Sequence, residues 1–430
     1  MAQASTIYAL SSGKLPAGVA VVRISGPHVP DAIPTLTGRP TLSPRVATLA
    51  DIRGEDGSVI DKALCIHFPA PKSFTGEDVL EIQLHGSRAV VTALLDRLAT
   101  LEGFEPAEPG AFTMRAFLNG HIDLTAAEAL SDLIVAETEA QRKLALANAD
   151  GAQRRLYEDW RKQLISIWAS VEADLDFSDQ EDVPDEFGNA FVGPIGMLIS
   201  AIEDHLRGFA AAEIINDGYH IVVAGPPNSG KSSLINYLAK REVAIVTDIA
   251  GTTRDLIDIR IEIGGHLVRI TDTAGLRDAQ DVVELIGIER AHSAMRQADL
   301  VLLLDDGSNA PIDVPEEGML KVYTKADVVD HIHAPRISTR TGEGVEALVT
   351  HIADMIDEHI GVFDTIPSRA RHVAELTSCL SSLKSATTLA EPELIAEELR
   401  KAADALGRTT GAVDVEELLG DIFSRFCIGK

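Results

Sequence analysis

Over the first ~120 residues apolar and polar positions tend to alternate with a period of two, and Pro and Gly interrupt the runs. This spacing predicts strands over Gly18–Ser25 and Asp78–Gly86 and a helix over Ala89–Leu101. On the second strand Leu80, Ile82 and Leu84 share one face, and Glu81, Gln83 and His85 share the other. From Leu124 the period becomes helical. Thr125–Glu128 reads as a capping box that opens a helical stretch to about Asn148. More helix is predicted around Leu156–Leu175 and Ile195–Phe209. Between them, Glu172–Glu186 holds eight acidic residues and no basic one; it lacks calcium-loop spacing and reads as a solvated loop.

From about Ile214 to Glu358, short apolar strands alternate with helical segments: YHIVVAG, LVRITDTAG, DLVLLLDD, MLKVYTKAD and RISTRTGEG. Such alternation implies a mostly parallel sheet covered on both faces. After about Pro367 the pattern is helical again, most clearly in AEPELIAEELRKAADAL. The expected fold is therefore multidomain, α/β plus all-α. An α+β domain spans 1–120, and a helical domain is assembled from 121–213 and 359–430. The α/β domain, 214–358, is inserted into the helical one.

Composition narrows the function classes. A chain of 430 residues exceeds what one core holds, about 250–300 residues, and its 45% hydrophobic fraction is that of a globular protein. The 38 Lys+Arg against 66 Asp+Glu leave a net charge of −28, which excludes broad, unaided binding to nucleic-acid phosphate. An RNA substrate needs a local basic patch or a basic partner. Cys65, Cys379 and Cys427 form no CxxC pair, so neither a disulfide framework nor a sequence-local zinc site is expected. The start MAQASTIYALSSGKLP has no secretory pattern, and no apolar run approaches the ~20 residues of a membrane span. A soluble, cytoplasmic protein is expected.

The chemistry concentrates in the inserted domain. Gly225-Pro-Pro-Asn-Ser-Gly-Lys-Ser232 fits G-x-x-x-x-G-K-[ST], follows an apolar strand and opens an apolar helix. Loop N–H groups there, with Asn228, Ser229, Gly230 and Ser233, can wrap phosphates at a helix N-terminus. Lys231 can reach the β- and γ-phosphates, and the Ser232 hydroxyl suits Mg²⁺. Asp272-Thr273-Ala274-Gly275 matches D-x-x-G at the end of a second strand. Thr324-Lys325-Ala326-Asp327 supplies a carboxylate that can accept from guanine N1–H and the 2-amino group, which adenine cannot match. Ser338-Thr339-Arg340 closes the next strand where a loop would touch the base. Each triplet alone is usually just a loop. Four of them in order, each after a strand, predict a guanine-nucleotide domain. Two departures stand out: Thr324 takes the usual Asn position, and S-T-R replaces the commoner S-A-K. Leu276, where Ras-like proteins carry Gln, cannot orient the attacking water; Asp278, Asp281, Glu284 and Glu289 are acidic candidates for that role.

AIVTDIAGTTRD (Ala244–Asp255), GPPNSGKSSL, DTAGLR and ELIGIERA together resemble the MnmE (TrmE) family of bacterial GTPases. The likeness extends to FTGEDVLEIQLHG (Phe74–Gly86), AFLNGHIDLTAAEAL (Ala116–Leu130) and the terminal FCIGK (Phe426–Lys430), so it spans nearly the whole chain. The resemblance implies a GTPase that acts with the flavoprotein GidA (MnmG) on the wobble uridine of tRNA, installing an aminomethyl-type group at C5. It implies an N-terminal folate-binding domain that forms a homodimer, a helical domain from both flanks and an inserted Ras-like GTPase domain. It also implies a potassium ion held by Asn228 with switch residues Thr247, Ile249 and Thr252, and Mg²⁺ held by Ser232 and Thr253. Glu284 takes the place of the water-positioning glutamate. Arg23, Glu81, His121 and Lys430 occupy the positions that hold 5-formyltetrahydrofolate or a related folate. His121 stands where the family has Lys, and an imidazole attracts the folate glutamate tail less than a permanent ammonium. Two other classes share features with this reading. A ribosome-associated GTPase would carry a basic RNA-binding appendage, and a folate-dependent one-carbon enzyme would use the GTPase only for regulation. No role for Cys427 follows from the sequence.

Overall fold

The structure, a computed structural model, describes residues 5–177, 191–241, 258–272, 291–307, 318–329, 335–362, 365–413, 416–424, 426 and 428–429. The chain forms two compact units, Met1–Ser131 with Gly407–Lys430, and Asp132–Leu406.

The first unit holds β1 (Thr6–Leu10), β2 (Ala17–Ser25), α1 (Val29–Thr37), β3 (Thr48–Arg53), β4 (Val59–Phe68), β5 (Val79–Gly86), α2 (Arg88–Ala99), β6 (Phe104–Pro106) and α3 (Ala111–Leu118). The strands make one sheet in the order β3-β4-β5-β2-β1-β6. Only the β1–β6 pair is parallel among these neighbours. As the alternation predicts, Leu80, Ile82 and Leu84 are buried, in one core with Val22 and Ile24 of β2, Leu36 of α1 and Leu94 and Leu98 of α2. Each such fully buried side chain stabilises the fold by roughly 1.5–3 kcal/mol. Glu81 lies on the opposite face, directly across from Arg23 in the β2–β5 register. Residues after Gly407 return to this unit: Phe423 and Phe426 pack with Leu124 and Ala127.

Two expectations about helix boundaries are corrected. The helix α4 (Leu124–Val135) is not capped by Thr125. Asp123 does that work, its carboxylate accepting from the Thr125 and Ala126 N–H groups at 2.9 and 3.1 Å. The capping box lies at Thr138, which exchanges bonds with Gln141 and starts a separate helix, α5 (Glu139–Ala149). The following α6 (Ala152–Phe177) runs into the acidic stretch, so its first part is helix and not loop; residues 178–190 lie outside the described residues.

In the second unit α6 packs with α7 (Val192–Arg207), and α8 (Phe209–Asp217) leads into β7 (Tyr219–Ala224). There follow α9 (Lys231–Arg241), β8 (Asp258–Ile263), β9 (His266–Asp272), β10 (Leu300–Asp305), β11 (Met319–Tyr323) and α10 (Val345–Ile360). The chain then continues through α11 (Ala370–Ala386), α12 (Pro392–Thr410) and α13 (Glu416–Ser424), the last in the first unit. One core joins Tyr157, Leu164 and Ile202 to Leu376, Leu383 and Leu399, so helices before and after the sheet share it. The sheet has its own core, with Ile221, Val223 and Leu302 against Leu234 and Ile352. Val222 and Val301 cover its other face with Met295.

This second sheet, in the order β11-β10-β7-β9-β8, is parallel except for β8, which pairs antiparallel to β9. The parallel strands were expected; β8 was not. The expected strand at RISTRTGEG is reduced to a single bridge between Tyr323 and Arg336.

Candidate functional site

Gly225–Gly230 forms a tight loop between the C-terminal end of β7 and the N-terminus of α9, whose first residues are Lys231 and Ser232. Gly225 has φ +155°, and a Cβ there would lie 2.7 Å from the Leu304 carbonyl oxygen, so only glycine fits. Asn228 is exposed at the loop tip with φ 61°, a left-handed conformation that Asn tolerates better than most residues. Lys231 is buried, and its ammonium donates to the carbonyls of Gly225 and Pro226 at 3.0 and 2.9 Å. A lysine so held lies along the loop whose N–H groups gather at the helix terminus, where anions are favoured. Ser232 donates its hydroxyl to Asp272 Oδ2 at 3.0 Å, bringing two hard oxygen donors together from separate elements. Ser233 is exposed on the first turn of α9.

The Thr-Lys-Ala-Asp turn is tied to this loop. Thr324 is buried and its Oγ1 donates to the Ser229 carbonyl at 2.8 Å. The shorter Thr side chain therefore links the Thr-Lys-Ala-Asp turn to the phosphate loop. Lys325, at φ 60°, places its ammonium 2.7 Å from Asp306 Oδ2. The Asp327 carboxylate accepts from Ser338 Oγ at 2.7 Å on Oδ1 and forms an ion pair with Arg340, whose Nε lies 2.9 Å from Oδ2. The Ser338 hydrogen bond, helped by the Arg340 charge, holds this carboxyl below the usual carboxylate range.

Thus Asn228, Ser229, Gly230, Lys231, Ser232 and Asp272 meet at one end of β7 and β9, and Thr324, Lys325, Asp327 and Ser338 are joined to them through the Thr324–Ser229 bond. Thr247, Ile249, Thr252, Thr253, Thr273, Ala274, Gly275, Leu276 and Glu284 lie outside the described residues.

In the first unit, Arg23 Nε and Nη2 donate to Glu81 Oε1 at 3.0 and 2.9 Å. The guanidinium lies 5.6 Å from the Phe74 ring centroid and 5.8 Å from that of Phe112. The chain then runs through Thr75, bonded to Ser25, to Gly76, where a Cβ would meet the His121 ring at 2.7 Å. The Phe74–Gly76 segment thus spans from Arg23 to His121. Lys430 and Cys427 lie outside the described residues, but Gly429 is fixed at the end of β1, its carbonyl accepting from Ser11 Oγ at 2.8 Å.

Residues 6–121 match the family model of the GTP-binding protein TrmE N-terminus, and residues 124–427 match that of the MnmE helical domain. The tRNA modification GTPase MnmE of Brucella anthropi is 50% identical over 436 positions, covering 99% of this chain and 98% of its own. Those of Mesorhizobium japonicum and Rhizobium meliloti are 48% and 47% identical over 444 positions, covering 100% of both chains in each pair. The chain belongs to the MnmE family of tRNA modification GTPases. As a member of the MnmE family it is a GTP hydrolase.

Sequence reasoning missed two parts of these sites. Asp306, which anchors Lys325, follows the strand in DLVLLLDD without belonging to any motif. In the first unit, Ser25, Glu77 and Arg115 form a further polar cluster: Arg115 Nη1 donates to Glu77 Oε2 at 2.8 Å, and Ser25 Oγ donates to the same oxygen at 2.9 Å. The glutamate stands inside the FTGEDVLEIQLHG block, which was the available signal.

Proposed function

We propose that this protein is a potassium-activated GTPase that works with a flavoprotein of the GidA (MnmG) type to modify the wobble uridine of tRNA at C5. The group installed is of aminomethyl type, and its one-carbon unit comes from a folate. The observation that carries the reading is similarity along the full chain, at 47–50% identity, to proteins named tRNA modification GTPase MnmE. A likeness confined to the GTPase segment would not carry it, because many unrelated functions use that fold.

In this reading residues 1–120 are a folate-binding domain that pairs the subunits. Residues 214–358 are a GTPase domain inserted into a helical domain made of 121–213 and 359–430. The helical core that joins Tyr157 and Ile202 to Leu376 and Leu399 supports the insertion. Lys231 and the loop N–H groups hold the phosphates, and Asp327 reads guanine. Ser232, beside Asp272, and Thr253 hold Mg²⁺; the hydroxyl and carboxylate found together suit that cation. Asn228 at the loop tip, with Thr247, Ile249 and Thr252, holds K⁺. When bound, these cations offset negative charge that grows between the β- and γ-phosphates. Glu284 orients the attacking water. Arg23, Glu81, His121 and Lys430 hold the folate; the Glu81 carboxylate suits the amino-oxo edge of a pterin, and the exposed Phe74 offers apolar ring surface. The site of action is the cytoplasm.

Mass spectrometry of tRNA nucleosides from a strain lacking this gene tests the reading. The C5-modified wobble uridine should disappear and return on complementation. An unchanged nucleoside profile would overturn it.

A further inference from the structure

The polar cluster around Arg115 touches none of the four residues given to the folate, yet its bonds converge on the loop that spans from Arg23 to His121. We propose that Arg115 is a positioning residue for the folate pocket: through Glu77 it clamps residues 73–77, which set Phe74 beside Arg23 and Gly76 against His121. The proposal rests on the folate reading of the first unit and is independent of the GTPase site.

Residues 73–77 lie between β4 and β5 and belong to no strand or helix, so side chains must supply their order. The Glu77 carboxylate, paired with Arg115, only accepts, and Ser25 Oγ donates its proton to Oε2 at 2.9 Å. The Thr75 hydroxyl must then donate to Ser25 Oγ, 2.7 Å away, while Thr75 Oγ1 accepts from the Glu77 N–H at 3.3 Å. These three bonds close a ring that joins the end of β2 to the loop, and Ser25 and Thr75 are both fully buried in it. Arg115 of α3 locks the ring. Its Nη1 donates to the same Glu77 oxygen at 2.8 Å and to the Ser25 carbonyl at 3.2 Å, and its Nη2 donates to Ser5 Oγ at 3.3 Å. Asn119, at the end of α3, adds a bond from Nδ2 to the Thr75 carbonyl at 2.7 Å. The Arg115 and Glu77 side chains are 18% and 23% exposed, against 49% and 46% for the helix-surface pair Arg142–Glu139. Shielding from water makes the first pair the stronger one. The loop carries Phe74, whose ring centroid lies 5.6 Å from the Arg23 guanidinium, and Gly76, which the His121 ring approaches too closely for a Cβ. A loop ordered before the ligand arrives binds it without a further ordering cost.

The test uses the full-length protein and 5-formyltetrahydrofolate, with the wild type, Arg115→Ala, Arg115→Lys, Glu77→Gln, the Glu77→Gln/Arg115→Ala double variant and Glu81→Ala. Folate binding is read by fluorescence titration, loop order by hydrogen exchange of the ligand-free protein, and folding by far-UV circular dichroism. Arg115→Ala should weaken folate binding about ten- to hundred-fold, the range for hydrogen bonds to a charged group. It should also speed exchange over residues 73–78 while leaving β3 and β4 as in the wild type. Arg115→Lys, which keeps the charge and a donor, should recover part of both. Glu77→Gln should act in the same direction and carries the test if Arg115→Ala does not fold. The double variant should bind little worse than the weaker single one, because the two residues act through one contact. Wild-type folate affinity or unchanged exchange over residues 73–78 in the folded single variants, or full additivity in the double one, would overturn the proposal. Absence of folate binding in the wild type, or full binding by Glu81→Ala, would instead overturn the folate reading and the proposal with it, so the two failures are distinguishable.

Discussion

In the proposed site, guanine selectivity depends on one carboxylate and its surroundings. Asp327 presents two acceptors, and Asp327→Asn replaces one of them with a donor that faces a donor on guanine. GTP affinity should fall about ten- to hundred-fold, the range for a hydrogen bond to a charged group. Xanthine nucleotides, with an oxygen in place of the 2-amino group, should bind the variant better than the wild type; calorimetry with GTP and XTP checks both. The same residues show what a motif can and cannot disclose. Asp327, Lys231 and Ser232 were legible because their spacing along the chain sets the local backbone. The bond from Thr324 to the Ser229 carbonyl links residues 95 positions apart, and its existence had to wait for the fold. The pairings of Arg340 and Asp306 likewise depend on how two turns meet, which no spacing encodes.

Among the elements, legibility followed the strength of the local period. β2, β5, β7, β9, β10 and β11 were expected because apolar residues recur in them at strand spacing. β8 is the exception: DIRIEI alternates charged residues with isoleucines and ends at Gly264-Gly265, so its strand signal was present in the sequence and was overlooked. The strand expected before Ser338 has too few pairing partners to exceed one bridge. A buried polar link between helices was not legible either. His205 of α7 accepts or donates at Nε2 with Tyr157 of α6 at 2.9 Å, and its Nδ1 lies 3.0 Å from the Thr365 carbonyl. Because a carbonyl only accepts, Nδ1 carries the proton and Nε2 accepts from the tyrosine. Burial, opposed by the Thr365 bond and aided by His372, pushes the His205 pKa from 6.5 down to about 4. The unfolded chain then binds more protons than the folded one between these values, so stability falls as pH falls through that window. The contribution is complete above pH 6.5 and lost by about pH 4, a change of roughly 3 kcal/mol at most. Urea unfolding between pH 7.5 and 4.5 should show it, and His205→Asn should flatten this part of the slope; an unaltered slope would contradict the assignment.

At the scale of the whole molecule, the chain after Gly407 returns to the first unit, with Gly429 fixed beside Leu10 and Ser11, and Leu10 follows Ala9, the register partner of Arg23. By compactness the residues after Leu406 group with the first unit, while the helical-domain family model extends to residue 427; helical periodicity says nothing about which core a helix joins. Among the described residues no helix is long and apolar enough to cross a membrane, and the net charge of −28 leaves attraction to RNA phosphate to a local patch or a partner. The central claim concerns how hydrolysis is switched on. In the proposed reading the GTPase domains of two subunits meet across the potassium ion; Leu276 cannot orient water, so that site is complete only with a cation at Asn228, Glu284 and the second GTPase domain. The most direct test is GTP hydrolysis by the full-length protein in potassium and in sodium, over a range of protein concentrations. The account predicts fast turnover in potassium that rises per molecule with concentration, slow turnover in sodium, loss of the potassium effect in Asn228→Ala with GTP binding kept, and loss of turnover in Glu284→Ala. Equal rates in the two salts, independent of protein concentration, would contradict it.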